Sequence, residues 1–126
     1  MIYNSEALIL NTRQYGDTSL ICNLFTKQYG KLSIISKGAR TLKNPNRAIL
    51  QPAQFIDLHY YYKPGRNIQI LKEASINQHF FHIHENYSKI LLSYNIIDIT
   101  NQICITDNPN KIIFRLVKKV LNKIDK

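Results

Sequence analysis

Five short apolar runs with turn signals between them fill the first part of this chain and constrain its fold more than any other feature. They are "SEALILNTR" (5–13), "LICNLFT" (20–26), "KLSIISKG" (31–38), "QFIDLHYYY" (54–62) and "NIQILKEAS" (67–75). The turns between them are "QYGDTS", "KQYG" with Gly30, the segment after Gly38, and "KPGR" (63–66). In the last of these Pro64 presets φ and Gly65 supplies a positive φ, so 54–62 and 67–75 read as a hairpin. Strand alternation puts Phe55, Asp57, His59 and Tyr61 on one face of the fourth run, and Ile56, Leu58, Tyr60 and Tyr62 on the other. Five strands of this length with turn signals between them predict a small closed or partly open barrel.

The pattern then changes period. From Phe80 to Ile105 the apolar residues Ile83, Tyr87, Ile90, Leu91, Tyr94, Ile97 and Ile103 recur at three- and four-residue steps, which predicts a helix. "TDNPNK" (106–111) breaks the run, and Asn108 before Pro109 reads as the cap of a following helix with proline at its first position. "KIIFRLVKKVLNKI" (111–124) turns Ile112, Ile113, Leu116, Val117, Val120, Leu121 and Ile124 inward, with Arg115, Lys118, Lys119 and Lys123 outward. The expected class is α+β. A five-stranded barrel domain spans 1–78, and a small α-helical region follows over 79–126.

Charge narrows the function. The chain of 126 residues carries 17 Lys+Arg against 8 acids, a formal net charge of +9. Residues 1–78 hold ten Lys+Arg and four acids (net +6), and residues 79–126 hold seven and four (net +3). No Asp or Glu occurs from Thr18 to Ile56, yet that window contains Lys27, Lys31, Lys37, Arg40, Lys43 and Arg47. Four of these cations lie in "KGARTLKNPNR" (37–47), too broken for a helix and too polar for a strand. Cations without acidic partners repel one another unless a polyanion is present, so the loop points to phosphate backbones. "HYYY" adds Tyr60 and Tyr62 beside Arg66, a combination able to stack bases on an open barrel face. Tyr15 and Tyr29 each precede a glycine and read as turn residues.

Residues for bond chemistry are missing from the sequence. Acids are scattered singly, "YGKLS" lacks the upstream glycine of a phosphate-binding loop, and no Ser or Cys nucleophile motif is present. His79, His82 and His84 with Glu85 do not follow a metal-ligand spacing. Cys22 and Cys104 lie far apart in apolar surroundings and read as buried thiols. The expectation is a binding protein with no cofactor and no metal, not an enzyme. No signal-peptide pattern opens the sequence and no run is long enough to span a membrane, so the cytoplasm is the expected compartment.

The blocks Tyr15–Gly16–Asp17–Thr18–Ser19, Leu24–Phe25–Thr26, Gly30–Lys31–Leu32–Ser33, Lys37–Gly38–Ala39–Arg40 and Leu50–Gln51–Pro52 resemble, in order and spacing, the N-terminal half of the bacterial recombination mediator RecO family. The resemblance covers about 5–76; the helical part is similar in character. It implies an OB-fold barrel followed by a helical domain, in a bacterial, nucleoid-associated protein. It further implies binding of single- and double-stranded DNA, annealing of complementary strands, and loading of the RecA recombinase. The partners implied are RecR and single-strand-binding protein. Family members run to about twice this length, and many carry a four-cysteine zinc motif in their second half. The residues expected at DNA are Arg13, Lys31, Lys37, Arg40, Lys43 and Arg47 on the backbone, with Tyr60, Tyr62 and Arg66 as stacking and rim contacts. Two other classes compete: an adaptor whose basic surface binds an acidic protein tail, and an OB-fold RNA binder.

Overall fold

A computed structural model describes residues 1–104 and 108–126; Ile105, Thr106 and Asp107, the end of one expected helix and the start of the expected break, lie outside the described residues. Strands β1 (Ile2–Tyr15), β2 (Ser19–Thr26), β3 (Gly30–Ser36), β4 (Phe55–Tyr61) and β5 (Ile68–Gln78) form a closed barrel in the order β1-β2-β3-β5-β4. All pairings are antiparallel except β3 with β5, which run parallel from Ser33↔Ile68 to Ile35↔Ile70. A single turn, α1 (Asn46–Ile49), lies between β3 and β4. A 3-10 turn (Ile83–Glu85) leads into α2 (Tyr87–Ile103), and α3 (Lys111–Asp125) follows. This is the closed five-stranded barrel and small helical region that the strand and helix patterns predict, and it is consistent with the OB-fold that the resemblance implies.

The long strand β1 lets a five-stranded sheet close. Its first half pairs with β4, from Ile2↔Tyr61 to Leu8↔Phe55, and its second half pairs with β2, from Ala7↔Thr26 to Tyr15↔Ser19. The register slips between Ile9 and Asn11, a bulge that bends the strand. At this bend "ALIL" is apolar on both faces because both faces are buried. Ala7 and Ile9 point into the barrel with Cys22, Leu24, Ile34, Ile56, Leu58 and Tyr60. Leu8 and Leu10 point outward into a second core with Phe25, Phe55, Phe80, Ile97, Phe114 and Leu121. The rings of Phe25 and Phe55 meet that of Phe114 edge-on at 5.5 and 5.7 Å between centroids. The helices therefore pack on the outside of β1, β2 and β4.

The helices bury a narrower stripe than their hydropathy indicates. In α2 the inward row is Ile90, Ser93, Ile97 and Thr100, at steps of three and four, while Tyr87, Leu91, Tyr94 and Ile103 are exposed. In α3 the row is Phe114, Val117 and Leu121; Ile112 and Leu116, expected inside, are 78% and 58% exposed. Each helix has more apolar residues than one contact face accommodates. Lys118, expected outside, is half-buried: its Nζ donates to Glu6 Oε2 at 3.2 Å and Asn77 Oδ1 at 2.9 Å.

The cap of α3 also differs from expectation. Asn110, not Asn108, holds it: the Asn110 Oδ1 accepts from the Ile113 N–H at 3.0 Å, and the helix begins at Lys111. Asn108 is committed elsewhere, since its backbone lies against Gly30, where an added Cβ would fall 2.6 Å from Asn108 N and C. None of the helices among the described residues is long and apolar enough to cross a membrane.

Candidate nucleic-acid interface

The basic segment after β3 is a string of hydrogen-bonded turns. Thr41 N–H donates to Gly38 O, Asn44 N–H to Thr41 O and Arg47 N–H to Asn44 O, each at 3.2 Å. The Asn44 side chain ties both ends, donating to Gly38 O at 3.1 Å and accepting from the Asn46 N–H at 2.9 Å. Ala39 and Leu50, both buried in the barrel core, pin the segment at its two ends. A loop fixed in this way loses little entropy when it meets a ligand.

Its four cations divide into one anchor and three free groups. Arg40 spends its guanidinium on the β1–β2 turn: Nε donates to Ser19 O at 2.9 Å and Nη2 to Gly16 O at 2.6 Å. Its own N–H bonds Thr18 O at 2.9 Å. Carbonyls do not neutralise it, so its charge persists. Lys37, Lys43 and Arg47 are exposed and have no ion pair among the described residues. Lys43 and Arg47 border one shallow groove, and Arg40 and Arg47 border the next one with Thr12 and Gln14. Arg13 alternates with Thr12 and Gln14 along β1 and so stands on the opposite face of that strand.

Lys31, Tyr60, Tyr62 and Arg66 are gathered at the other end of β1. They border a cleft of about 440 Å³ formed by the start of β1, the β2–β3 turn and the β4–β5 turn. Here the stacking expectation needs correcting. Tyr60 is 1% exposed, because the face it shares with Ile56 and Leu58 is the interior of a closed barrel, not an open sheet surface. Two tyrosines not assigned to a site take its place. Tyr3 lies flat against Tyr62 (4.4 Å between centroids, 8° between planes) and against Tyr29 (4.9 Å, 20°). Tyr60 supports them edge-on from below. Tyr29 is thus a stacking residue as well as a turn residue. Alternation back from Ala7 through Ser5 places Tyr3 on the inward face, a signal hidden when the first strand is started at Ser5. Lys31 Nζ donates to Asn101 O at 3.1 Å, and Arg66 donates to Gln69 Oε1 at 3.0 Å and Tyr61 O at 2.6 Å.

A further basic row runs along α3, where Lys111, Arg115, Lys119 and Lys123 follow one another at four-residue steps, all exposed. Elsewhere His79 meets Phe81 edge-on, and His82 Nδ1 lies 3.7 Å from Glu85. The described residues contain no cluster of three His, Cys, Asp or Glu side chains able to hold a metal ion.

Comparison with known proteins connects this geometry to a family. The family model described as recombination protein O, N-terminal, matches residues 1–80. A DNA repair protein RecO of Salinibacter ruber is 33% identical over 124 residues, covering 98% of this chain and 48% of the relative. The RecO of Pelodictyon phaeoclathratiforme is 31% identical over the same shares. That of Alkaliphilus metalliredigens is 25% identical over all of this chain and 50% of its own length. The chain spans about half the length of the curated relatives it matches.

Proposed function

This chain belongs to the recombination protein O family, and from that premise we propose that it is a DNA-binding recombination mediator acting in DNA repair. The observation that carries the reading is the hydrogen-bonded loop presenting Lys37, Lys43 and Arg47 to solvent with no acid from Thr18 to Ile56. Arg40 fixes the loop to the β1–β2 turn and adds its own unneutralised charge. Such a surface meets phosphates irrespective of sequence and accepts single or double strands.

The proposed mechanism involves no covalent step, so the protein acts as a binder and not as an enzyme. Two strands held on one basic surface have part of their mutual repulsion neutralised, and their bases are left free to pair. The proposal extends to loading of RecA, with RecR and single-strand-binding protein as partners, in the bacterial cytoplasm. The test is the annealing of two complementary oligonucleotides, one labelled. The protein is expected to bind each strand and speed their pairing. The Lys37→Ala/Lys43→Ala/Arg47→Ala variant is expected to lose both effects while keeping its fold. Unchanged annealing by that variant would move the DNA site elsewhere, and absence of binding by the parent protein would sink the proposal.

A further inference from the structure

We propose that the tyrosine cleft at the start of β1 is a second site, separate from the basic loop, which takes one unpaired nucleobase together with its phosphate. The inference rests on the reading of the chain as a nucleic-acid binder and names what this cleft adds to it.

The cleft is built for a flat, anionic ligand. Tyr62, Tyr3 and Tyr29 form a three-ring stack whose planes deviate by only 8° and 20°. The middle ring is covered on both sides. Among the described residues Tyr62 and Tyr29 each stack on no ring but Tyr3, so a fourth planar ring can extend the ladder at either end. Base–aromatic stacking is the interaction by which proteins hold unpaired strands without reading sequence.

Charge and polarity agree with this assignment. Among the described residues the lining includes Lys31 and Arg66 and no Asp or Glu. Both cations bond only neutral oxygens among the described residues, so their charge remains available to a phosphate. The side-chain amides of Gln28 and Asn67, also on the lining, hold no hydrogen bond among the described residues and are free to meet base edges. A volume of about 440 Å³ accommodates a nucleotide. Tyr60, edge-on below the stack, fixes the positions of Tyr3 and Tyr29.

The position makes the site distinct. The β2–β3 turn that carries Tyr29 is tied to the start of β1, with Gln28 N–H donating to Ser5 Oγ at 3.1 Å. The basic loop is tied to the far end of β1 through Arg40 and Gly16. A dinucleotide is too short to occupy both sites, so it separates them.

The experiment is a titration of the whole chain with 5′-phosphorylated pdTdT at low salt, read by two-dimensional NMR of backbone amides and tyrosine rings. Saturable shifts are expected at Tyr3, Tyr29, Tyr62 and Arg66. Tyr62→Ala is expected to weaken the dinucleotide about tenfold, while Tyr62→Phe, which keeps the ring, binds like the parent. Tyr29→Ala, at the other end of the stack, gives an independent reading if Tyr62→Ala unfolds. The Lys37→Ala/Lys43→Ala/Arg47→Ala variant is expected to bind pdTdT within twofold of the parent. Shifts confined to the basic loop, or equal binding by a folded Tyr62→Ala or Tyr29→Ala, would overturn the proposal. So would an Asp-rich pentapeptide that moves the tyrosine resonances where pdTdT does not. If a long single strand still binds through the loop while pdTdT leaves the cleft unmoved, the cleft assignment fails and the proposed function survives; loss of both defeats the function itself.

Discussion

The Arg40 guanidinium holds the Gly16 carbonyl at 2.6 Å, which makes one member of the basic loop its structural anchor. Charge and geometry are separable at this residue. Arg40→Lys keeps the charge but cannot reach both Gly16 O and Ser19 O with one planar fork. The substitution is expected to cost about 1 kcal/mol of stability and to weaken DNA binding by loosening the loop. Lys37→Ala, at an exposed position, is expected to stay within roughly 0.5 kcal/mol of the parent while also weakening DNA. Urea melts beside binding curves distinguish the two. Equal stability of Arg40→Lys and the parent would remove the anchoring role.

Gly30 and Gly16 both have positive φ, at 75° and 60°, but only Gly30 is crowded. An alanine at Gly16 meets nothing within 4 Å and carries the backbone penalty alone, about 1 kcal/mol. At Gly30 a methyl group would fall 2.6 Å from the Asn108 backbone, so the segment leading into α3 must move. Gly30→Ala is therefore expected to cost at least about twice as much as Gly16→Ala. Denaturant unfolding of both variants checks the order, and equal costs would show that Asn108 does not rest on Gly30.

Asp125, at the end of α3, clamps the chain entering the 3-10 turn. Its carboxylate accepts from His82 N–H at 2.8 Å, Ile83 N–H at 3.0 Å and Phe81 N–H at 3.3 Å. Desolvation pushes its pKa up, but the three N–H donors and the charge of His82 together outweigh this and hold it below the ordinary value. A pKa lowered by folding means that the ionised form is the one the fold stabilises. The contribution is thus complete above the unfolded carboxyl pKa near 4 and fades as pH falls through the folded value. Asp125→Asn is expected to lower stability by about 1 kcal/mol at pH 7, and the gap to the parent should narrow as pH falls below about 4. A gap of constant size across that range would contradict the clamp.

The two thiols are expected to react differently. Burial in the barrel pushes Cys22 up to about 12. Cys104 is half-buried; desolvation raises its pKa, and the charge of Lys31 partly offsets the rise. In the native protein at pH 8, a thiol reagent is expected to label Cys104 first and leave Cys22 untouched until urea is added. Peptide mapping of the labelled protein reads this directly. Early labelling of Cys22 would mean that the barrel opens under native conditions.

The barrel was legible because its strands carry apolar runs separated by glycine turns with the required φ. The face of β4 carrying Ile56, Leu58 and Tyr60 was legible as well. Its destination was not, since alternation does not tell whether a sheet closes on itself, and closure turned Tyr60 from a stacking candidate into core. The helices misled for the opposite reason. Ser93 and Thr100 are buried in α2 although polar, Thr100 satisfying its hydroxyl on Ile96 O at 2.8 Å, while leucines and isoleucines around them remain exposed. The absence of acids around Lys37, Lys43 and Arg47 was plain in the sequence. That Arg40 bonds carbonyls, and that Tyr3 and Tyr29 meet from distant segments, depends on tertiary contacts to which no local pattern refers.

The most direct measurement of the central claim is the salt dependence of single-stranded DNA binding, by fluorescence anisotropy, for the parent chain and Lys37→Ala/Lys43→Ala/Arg47→Ala. Three lost phosphate contacts should make the slope of log affinity against log salt shallower by about 2. Weaker binding with that flatter slope is the predicted result. Parallel slopes with equal affinity would show that the loop does not meet the DNA backbone and would contradict the account.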